Sequence, residues 1–212
     1  MIINFAGLQT FKIQFGDTVI AVNPASKDSK NVKQPIKFGA DITLVSLAHP
    51  DFNGAENTFK NSKNPFVIEG PGEYEVGGIT ITGLNSPAQY EGRKFNTIYT
   101  MRLEQMNLCF LGGLAHSDLS PDTYEKIDGV DILFIPIGGE SVLEPSEAYK
   151  LSVKLEAKVI IPCHYTDVKD ENVSEFLKET SEDEFEPVEK YTVKKKDIEG
   201  KNGKVKILSP LK

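Results

Sequence analysis

The chain has 212 residues, a net charge of -7 and a sequence pI near 5.1, and 39% of its residues are hydrophobic. These values favour a globular protein with one domain over residues 1–212, and the negative charge argues against nucleic acid as a partner. No apolar run reaches the roughly 20 residues of a membrane span, and the start of the sequence does not resemble a signal peptide. We therefore expect a cytoplasmic protein that does not bind membranes.

Short apolar runs predict a β-rich first half. Residues 10–15 alternate apolar and polar side chains, and residues 18–24 follow after a Gly-Asp turn, so the two segments predict a hairpin. Residues 26–35 form a polar segment with too few apolar side chains to pack. Residues 40–46 then predict a strand that ends at a polar turn.

Further strands are predicted between residues 65 and 113. The glycine-rich segment 65–83 reads as short strands joined by tight turns, and segments 96–104 and 107–113 follow as a pair. Segment 86–94, with the sequence SPAQYEGRK, contains Pro and Gly and is expected to be an exposed turn. The first half is therefore predicted to be almost entirely β.

Helices enter in the second half. Ser120 is a plausible N-cap with Pro at the first helical position after it, and segment 172–180 is amphipathic. A helix over residues 144–156 is predicted between the continuous apolar strands 130–139 and 157–165, which implies a βαβ crossover. These elements predict an α/β fold, an αββα four-layer sandwich with two sheets face to face and helices outside.

The segment SLAHPDFNG, residues 46–54, carries the residues of chemical interest. His49 and Asp51 follow directly after a buried strand, which is a typical position for metal binding or acid-base chemistry. A cysteine or serine nucleophile is not indicated, because Cys163 and His164 are adjacent in a strand and point to opposite faces. Cys109 and Cys163 lie in apolar runs and are expected to be buried and unpaired.

The order of motifs resembles the metallo-β-lactamase superfamily, in particular the small bacterial metal-dependent hydrolases that include L-ascorbate-6-phosphate lactonase-like proteins. The resemblance covers residues 1–165 and the final strand 203–210. Its landmarks are NFAGLQTFKIQ, ADITLVSLAHPDFNG, PGEYEVGGITITG, NTIYTMRLE, LCFLGGLAH, VDILFIPIGG and KVIIPCHY. The resemblance implies the αββα sandwich and metal-dependent hydrolysis of a lactone, ester or phosphoester.

The same resemblance indicates that metal ligands have been lost. The family pattern Thr-His-x-His-x-Asp-His falls on residues 46–52, so that Leu47 and Phe52 stand where histidines are expected. Gly113 stands where the family has a bridging Asp, and a further histidine would fall near Ala88. The ligand positions that the family pattern retains in this chain are His49, Asp51 and His164.

Other positions around the expected pocket also depart from the family. Leu8 stands where the His of a Gly-His pair is usual, and Asn23 where the Asp of an Asp-Pro pair is usual. His116 matches a family histidine and either lines the pocket or lies on the surface. Since apolar side chains cannot bind Zn²⁺, Leu8, Leu47 and Phe52 are expected to pack together where relatives hold metal.

Two hypotheses follow. In the first, the protein has no metal cofactor and is a non-catalytic module. It binds a small molecule or a protein through its sheet edges or through the pocket in which relatives hold metal, and its oligomeric state is left open. In the second, His49, Asp51 and His164 hold one Zn or Mn ion in a reduced mononuclear site, with Asp51 as the catalytic residue of a hydrolase. A purely structural role would follow if the pocket were closed.

Overall fold

Two β-sheets form the centre of the protein, whose computed structural model describes residues 1–59, 64–180 and 185–211. The six strands of the first sheet are, in spatial order, β12 (Tyr191–Thr192), β1 (Ile2–Phe5), β2 (Phe11–Phe15), β3 (Thr18–Val22), β4 (Ile42–Val45) and β5 (Phe66–Glu69). Strands β1 to β3 are antiparallel, as the hairpin pattern predicts, and β4 and β5 continue the sheet in parallel.

The second sheet contains seven strands. In spatial order they are β13 (Lys204–Val205), β11 (Val159–Cys163), β10 (Ile132–Pro136), β9 (Met106–Phe110), β8 (Arg93–Leu103), β7 (Ile79–Tyr90) and β6 (Gly72–Val76). Strands β6 to β9 pair in antiparallel fashion, whereas β9, β10, β11 and β13 are parallel. All residues of β10 and β11 are buried, as their uninterrupted apolar sequences predict.

Aromatic side chains join the two sheets in one core. Phe11 of the first sheet meets Phe134 of the second edge-on, with ring centroids 4.8 Å apart, and Phe134 stacks on Phe110 at 4.1 Å. Edge-on and stacked contacts of this kind stabilise a core beyond the burial of apolar area alone. The face-to-face arrangement of the predicted αββα sandwich is therefore confirmed.

The helices are α1 (Pro121–Lys126), α2 (Pro145–Lys154) and α3 (Glu171–Glu179). Ser120 caps α1 by accepting a hydrogen bond from the Thr123 amide, as predicted, and α2 connects the parallel strands β10 and β11. On the other side of the molecule, Val19 and Ala21 of the first sheet are covered by Phe38 and Ala40 from the loop between β3 and β4. None of the helices in the described ranges is long and apolar enough to span a bilayer.

One prediction about the second sheet is wrong. Residues 86–94 do not form an exposed turn, because β7 continues to Tyr90 and β8 begins at Arg93. Ser86, Ala88 and Tyr90 alternate inward and are buried. The turn itself is short, with Glu91 and Gly92 at positive φ. Strands β7 and β8 therefore form one long hairpin, whose tip lies beside the turn after β4 because Tyr90 contacts Asp51.

Buried amides tie the loops at this end of the sandwich to one another. Asn96 donates to the Leu111 carbonyl at 2.8 Å and accepts from the Gly113 amide at 2.7 Å. Asn23 accepts from the Ser46 amide at 2.8 Å, which fixes the start of the turn after β4. Since a buried amide that lacks a partner is destabilising, these bonds hold the three loops in one relative position.

The opposite end of the second sheet is fixed by a buried carboxylate. Asp131, which is 1% exposed, accepts from Lys158 at 2.7 Å, from Lys195 at 2.7 and 2.9 Å, and from the Asn107 amide at 2.8 Å. Burial of Asp131 acts to raise its pKa, but the hydrogen bonds from both lysines and the amide outweigh burial and lower the pKa below 3.8. The contact connects the starts of β10 and β11 with the C-terminal segment.

Removing the carboxylate of Asp131 should make the stability of the protein depend less on pH. The pKa of Asp131 is lower in the folded state than in the unfolded state. Its contribution to stability is therefore complete at pH values above the unfolded-state pKa, and it is lost as the pH falls through the folded-state pKa. We expect Asp131→Asn to lower the free energy of unfolding by about 2 kcal/mol at neutral pH.

Urea denaturation at a series of pH values checks this prediction. The difference between the wild type and Asp131→Asn should shrink as the pH is lowered from about 7 to about 3. Asp128→Asn, at an exposed position, is the control and should change stability little. A difference for Asp131→Asn that stays constant over the whole pH range would contradict the role given to this carboxylate.

Candidate functional site

The turn after β4 places two of the predicted site residues side by side. The amides of Phe52 and Asn53 both donate to the His49 carbonyl, at 2.8 and 3.0 Å. The Asp51 amide donates to Nδ1 of His49 at 3.2 Å. This compact turn buries the side chains of Asp51 and Phe52 completely and leaves His49 9% exposed.

Asp51 is a buried carboxylate with three neutral hydrogen-bond donors. It accepts from Ser29 Oγ at 2.5 Å, from Asn31 Nδ2 at 2.7 Å and from the Tyr90 hydroxyl at 2.6 Å. Burial acts to raise its pKa, but these three hydrogen bonds, with a smaller contribution from His49, outweigh burial and lower the pKa. The carboxylate is thus ionised at neutral pH, and each of its oxygens accepts at least one hydrogen bond from the protein.

Both ring nitrogens of His49 make polar contacts. Its Nδ1 accepts from the Asp51 amide, and therefore the proton lies on Nε2, which is 3.0 Å from Oε2 of Glu91. Its Nδ1 is also 3.6 Å from a carboxylate oxygen of Asp51. Glu91 lies in the turn of the β7–β8 hairpin, so His49 connects that turn to the segment after β4.

Tyr90, the last residue of β7, lies at the centre of the site. Its ring is in edge-on contact with the rings of His49, Phe52 and His164, at centroid distances of 4.9, 5.1 and 5.5 Å. Burial, together with the hydrogen bond to Asp51, raises the pKa of Tyr90 far above its ordinary value. The hydroxyl therefore keeps its proton and serves as a donor.

His164 follows β11 in a left-handed conformation, with φ of 71°. Its amide donates to the Leu8 carbonyl, and the Leu8 amide donates to the Tyr165 carbonyl at 2.8 Å. Its Nδ1 lies 3.1 Å from Gln9 Nε2, which also donates to the Gly112 carbonyl. Burial lowers the pKa of His164 to about 4 despite the opposing charge of Asp51, so the ring is neutral at pH 7.

Apolar residues fill the positions at which the sequence predicted lost ligands. Leu47 and Phe52 pack with Ala88, Tyr90 and Val142 in a small buried cluster. Gly113 lies against them, since a Cβ on this glycine would be 3.3 Å from Leu47 Cδ1 and 3.5 Å from Phe52 Cζ.

The other two predicted pocket residues lie outside that cluster. Leu8 is buried, but it contacts the backbone of His164 and Tyr165, so the expected packing of Leu8 with Leu47 and Phe52 does not occur. His116 is exposed, and its Nε2 lies 2.7 Å from Gln89 Nε2, on the outer side of the hairpin.

The most important residues of the site come from segments whose role the sequence did not predict. Ser29 and Asn31 belong to the polar segment 26–35, and Tyr90 and Glu91 to the supposed exposed turn. The alternation of Leu84, Ser86, Ala88 and Tyr90 was the available signal for Tyr90, because residues two apart in a strand share one face. Hydrogen-bond donors such as Ser29 do not occur at a characteristic spacing in the sequence, and no sequence pattern therefore indicates them.

Two clefts border this group of residues. A cavity of about 360 Å³ is lined by Tyr90 and His164, the carboxylates of Glu91 and Glu140, and the hydroxyls of Ser141 and Thr166, among other residues. A second cavity of about 220 Å³ lies beyond Asn31 and Glu91, and its lining includes His49, Lys30 and Arg93. The site is therefore open to solvent on two sides, although Asp51 itself is not.

The residues do not fit the pair of metal ions that the resemblance implies. Both oxygens of Asp51 already accept hydrogen bonds, and the ring of Tyr90 lies in contact with both His49 and His164. In the part of the chain that the structure describes, no group of three or more His, Cys, Asp and Glu residues is arranged to hold a metal ion. Instead, Asp51 accepts a hydrogen bond from Tyr90, and the rings of His49 and His164 pack against the Tyr90 ring.

Comparisons with known proteins agree on the family. Residues 2–164 match the family model of the beta-lactamase superfamily domain. A UPF0173 metal-dependent hydrolase of Listeria monocytogenes is 26% identical over 199 residues, with 78% of this chain and 85% of the relative covered. A similar protein of Bacillus cereus is 23% identical over 198 residues.

Solved structures show the same architecture. A protein of Thermotoga maritima, assigned to the Zn-dependent hydrolases of the metallo-β-lactamase superfamily, superposes with a TM-score of 0.76 and 28% identity over 98% of both chains. Igni18, a metallo hydrolase of Ignicoccus hospitalis, superposes with a TM-score of 0.65 at 15% identity, covering 100% of this chain and 96% of its own. The similarity to Igni18 supports a shared fold only.

Removal of the Tyr90 hydroxyl should destabilise the protein. Tyr90→Phe keeps the ring but leaves the buried carboxylate of Asp51 with two donors, and a hydrogen bond to a charged group contributes about 1.5–3 kcal/mol. We expect a decrease of about 2 kcal/mol in the free energy of unfolding, measured by urea denaturation. Tyr74→Phe is the control, since the Tyr74 hydroxyl donates at 3.2 Å to the Gly70 carbonyl near the surface. Equal effects of the two substitutions would contradict this account.

Proposed function

Since the chain belongs to the beta-lactamase superfamily, whose compared relatives carry the names of metal-dependent hydrolases, we propose that it keeps the fold and the cleft but not the two-metal reaction. In this proposal it is a non-catalytic module that binds a small polar molecule or a protein segment beside Tyr90. The observation that carries the proposal is that three protein donors hydrogen-bond the two oxygens of Asp51.

The energetics of Asp51 support this proposal. A carboxylate that ligates a metal must offer a lone pair to the ion, and its neighbours are then arranged around the ion. Here Ser29, Asn31 and Tyr90 supply hydrogen bonds that solvate the charge without a cation. An ion would have to displace the Tyr90 hydroxyl and its ring from contact with Phe52. The charge of Asp51 is therefore compensated by hydrogen bonds without a metal ion.

The cleft beside Tyr90 indicates the character of a ligand. Glu91 and Glu140 contribute acceptors, and Ser141 and Thr166 contribute hydroxyls that can donate or accept. No Lys or Arg is among the described residues that line this larger cavity. A ligand rich in hydroxyl or amino groups would match these acceptors, whereas an anion would face two carboxylates.

A second candidate function is a hydrolase with one metal ion, acting on a lactone, an ester or a phosphoester. The names of the relatives in Listeria monocytogenes and Thermotoga maritima favour it more directly than they favour a binding module. His49, Asp51 and His164 would be the ligands, and all three contact Tyr90. This candidate requires that Tyr90 leave its present position.

Metal content and hydrolysis decide between the two candidates. The full chain is purified without chelator, incubated with Zn²⁺, Mn²⁺ or Fe²⁺, desalted and analysed by mass spectrometry for bound metal. We expect wild-type uptake no greater than that of Asp51→Asn or His164→Ala, and no turnover of p-nitrophenyl acetate or bis(p-nitrophenyl) phosphate above that of these variants.

The opposite outcome is equally specific. Close to one ion per chain in the wild type, lost in both Asp51→Asn and His164→Ala, would establish the mononuclear site. His116→Ala is the matched control, because His116 is an exposed histidine that does not contact Asp51 in the structure. Uptake that depends on His116 but not on Asp51 would mark surface binding, and the binding-module proposal would stand.

A further inference from the structure

The environment of the Tyr90 side chain has the features of a ligand pocket. A single aromatic ring with one hydroxyl is enclosed by other rings at its sides and by a charged acceptor at its polar end. We propose that this pocket is a binding site for a hydroxylated aromatic group, and that the chain fills it with its own Tyr90. The inference rests on the proposed function: it names the class of ligand and extends the binding position from the cleft beside Tyr90 into the place that the Tyr90 ring occupies.

The sides of the pocket suit an aromatic ring. His49, Phe52 and His164 meet the Tyr90 ring at interplanar angles of 71°, 85° and 84°. Edge-to-face contacts of this kind are a favoured geometry for aromatic pairs. Leu47 and Val142 belong to the same buried cluster and complete an apolar lining.

The polar end of the pocket suits a hydroxyl. Asp51 Oδ2 accepts from the Tyr90 hydroxyl at 2.6 Å, a short distance that is typical of a hydrogen bond to a charged acceptor. Ser29 donates to Oδ1 of Asp51 and Asn31 donates to Oδ2, and both donors lie outside the hairpin that carries Tyr90. The acceptor therefore stays in position when the phenol is exchanged.

Tyr90 reaches the pocket from a weakly paired hairpin tip. The register of β7 and β8 shifts between Pro87 and Tyr90, and the pair Tyr90 and Arg93 closes the hairpin beyond this irregularity. Pro87 has no amide hydrogen to contribute to the ladder. Displacement of the tip therefore breaks fewer ladder bonds than displacement of the strands below it.

The cavity of about 360 Å³ provides the route by which a ligand reaches this position. Tyr90 and His164 line its wall, so that a molecule in the cavity is in contact with the ring that it would replace. The chain's own tyrosine then competes with an external phenol for the pocket. The apparent affinity for the phenol is the intrinsic affinity multiplied by the fraction of chains in which Tyr90 is withdrawn.

The test uses p-cresol, which reproduces the tyrosine side chain, on the full chain in the presence of EDTA. Tyr90→Ala should bind p-cresol by calorimetry and show a raised melting temperature with it. Toluene, which lacks the hydroxyl, should bind at least about tenfold more weakly, because it makes no hydrogen bond to Asp51. The wild type should bind p-cresol at least about tenfold more weakly than Tyr90→Ala, because its pocket is filled.

Two matched variants separate pocket binding from general effects. Tyr90→Phe keeps the ring in the pocket and should not gain p-cresol binding, and Tyr74→Ala removes a tyrosine elsewhere and should behave as the wild type does. The proposal is overturned if folded Tyr90→Ala binds p-cresol no better than toluene, or if the wild type binds it as tightly as Tyr90→Ala.

Tyr90→Ala removes a large buried side chain, and its folding is therefore part of the test. If the variant is unfolded alone, p-cresol should restore the native circular dichroism spectrum and toluene should not; failure of p-cresol to do so overturns the proposal. Because EDTA excludes metal here, this failure is distinct from that of the proposed function, which depends on metal uptake and hydrolysis by the wild type.

Discussion

The hydrogen bond from Tyr90 to Asp51 is the contact on which the rest of the site depends. A buried carboxylate is strongly destabilising unless hydrogen bonds or a cation compensate for its lost hydration. Asp51 receives that compensation from Ser29, Asn31 and Tyr90, which belong to the loop after β3 and to the β7–β8 hairpin. The charge of Asp51 therefore joins the turn after β4 to two other segments of the chain.

The two sheets make this convergence feasible. Strand β4 of the first sheet delivers the turn with Asp51, while β7 and β11 of the second sheet deliver Tyr90 and His164 to the same end. Amide side chains hold the connecting loops in place, as Asn96 does between β8 and the segment after β9. The architecture is that of the hydrolase relatives, and what differs in our proposal is the group at the centre.

Much of the fold could be predicted from the sequence, because its signals are local. The apolar runs of β10 and β11 and the capped start of α1 are examples, and the structure confirms them. The site was harder to predict. His49, Asp51 and His164 follow from a family pattern, whereas the neutral donors that define their environment come from distant segments and match no motif. The position of Tyr90 in a strand was not predicted, because Pro87 and Gly92 suggested a turn. The alternation of buried and exposed residues in β7 nevertheless continues to Tyr90.

The central claim is that Asp51 is solvated by protein donors and does not ligate a metal ion. A crystal structure grown with excess Zn²⁺, with anomalous diffraction data collected at the zinc edge, tests it most directly. The account predicts the Tyr90 hydroxyl in hydrogen-bond contact with Asp51 and no anomalous peak within bonding distance of Asp51 or His164. A zinc peak bonded to Asp51 and His164, with Tyr90 displaced, would contradict it.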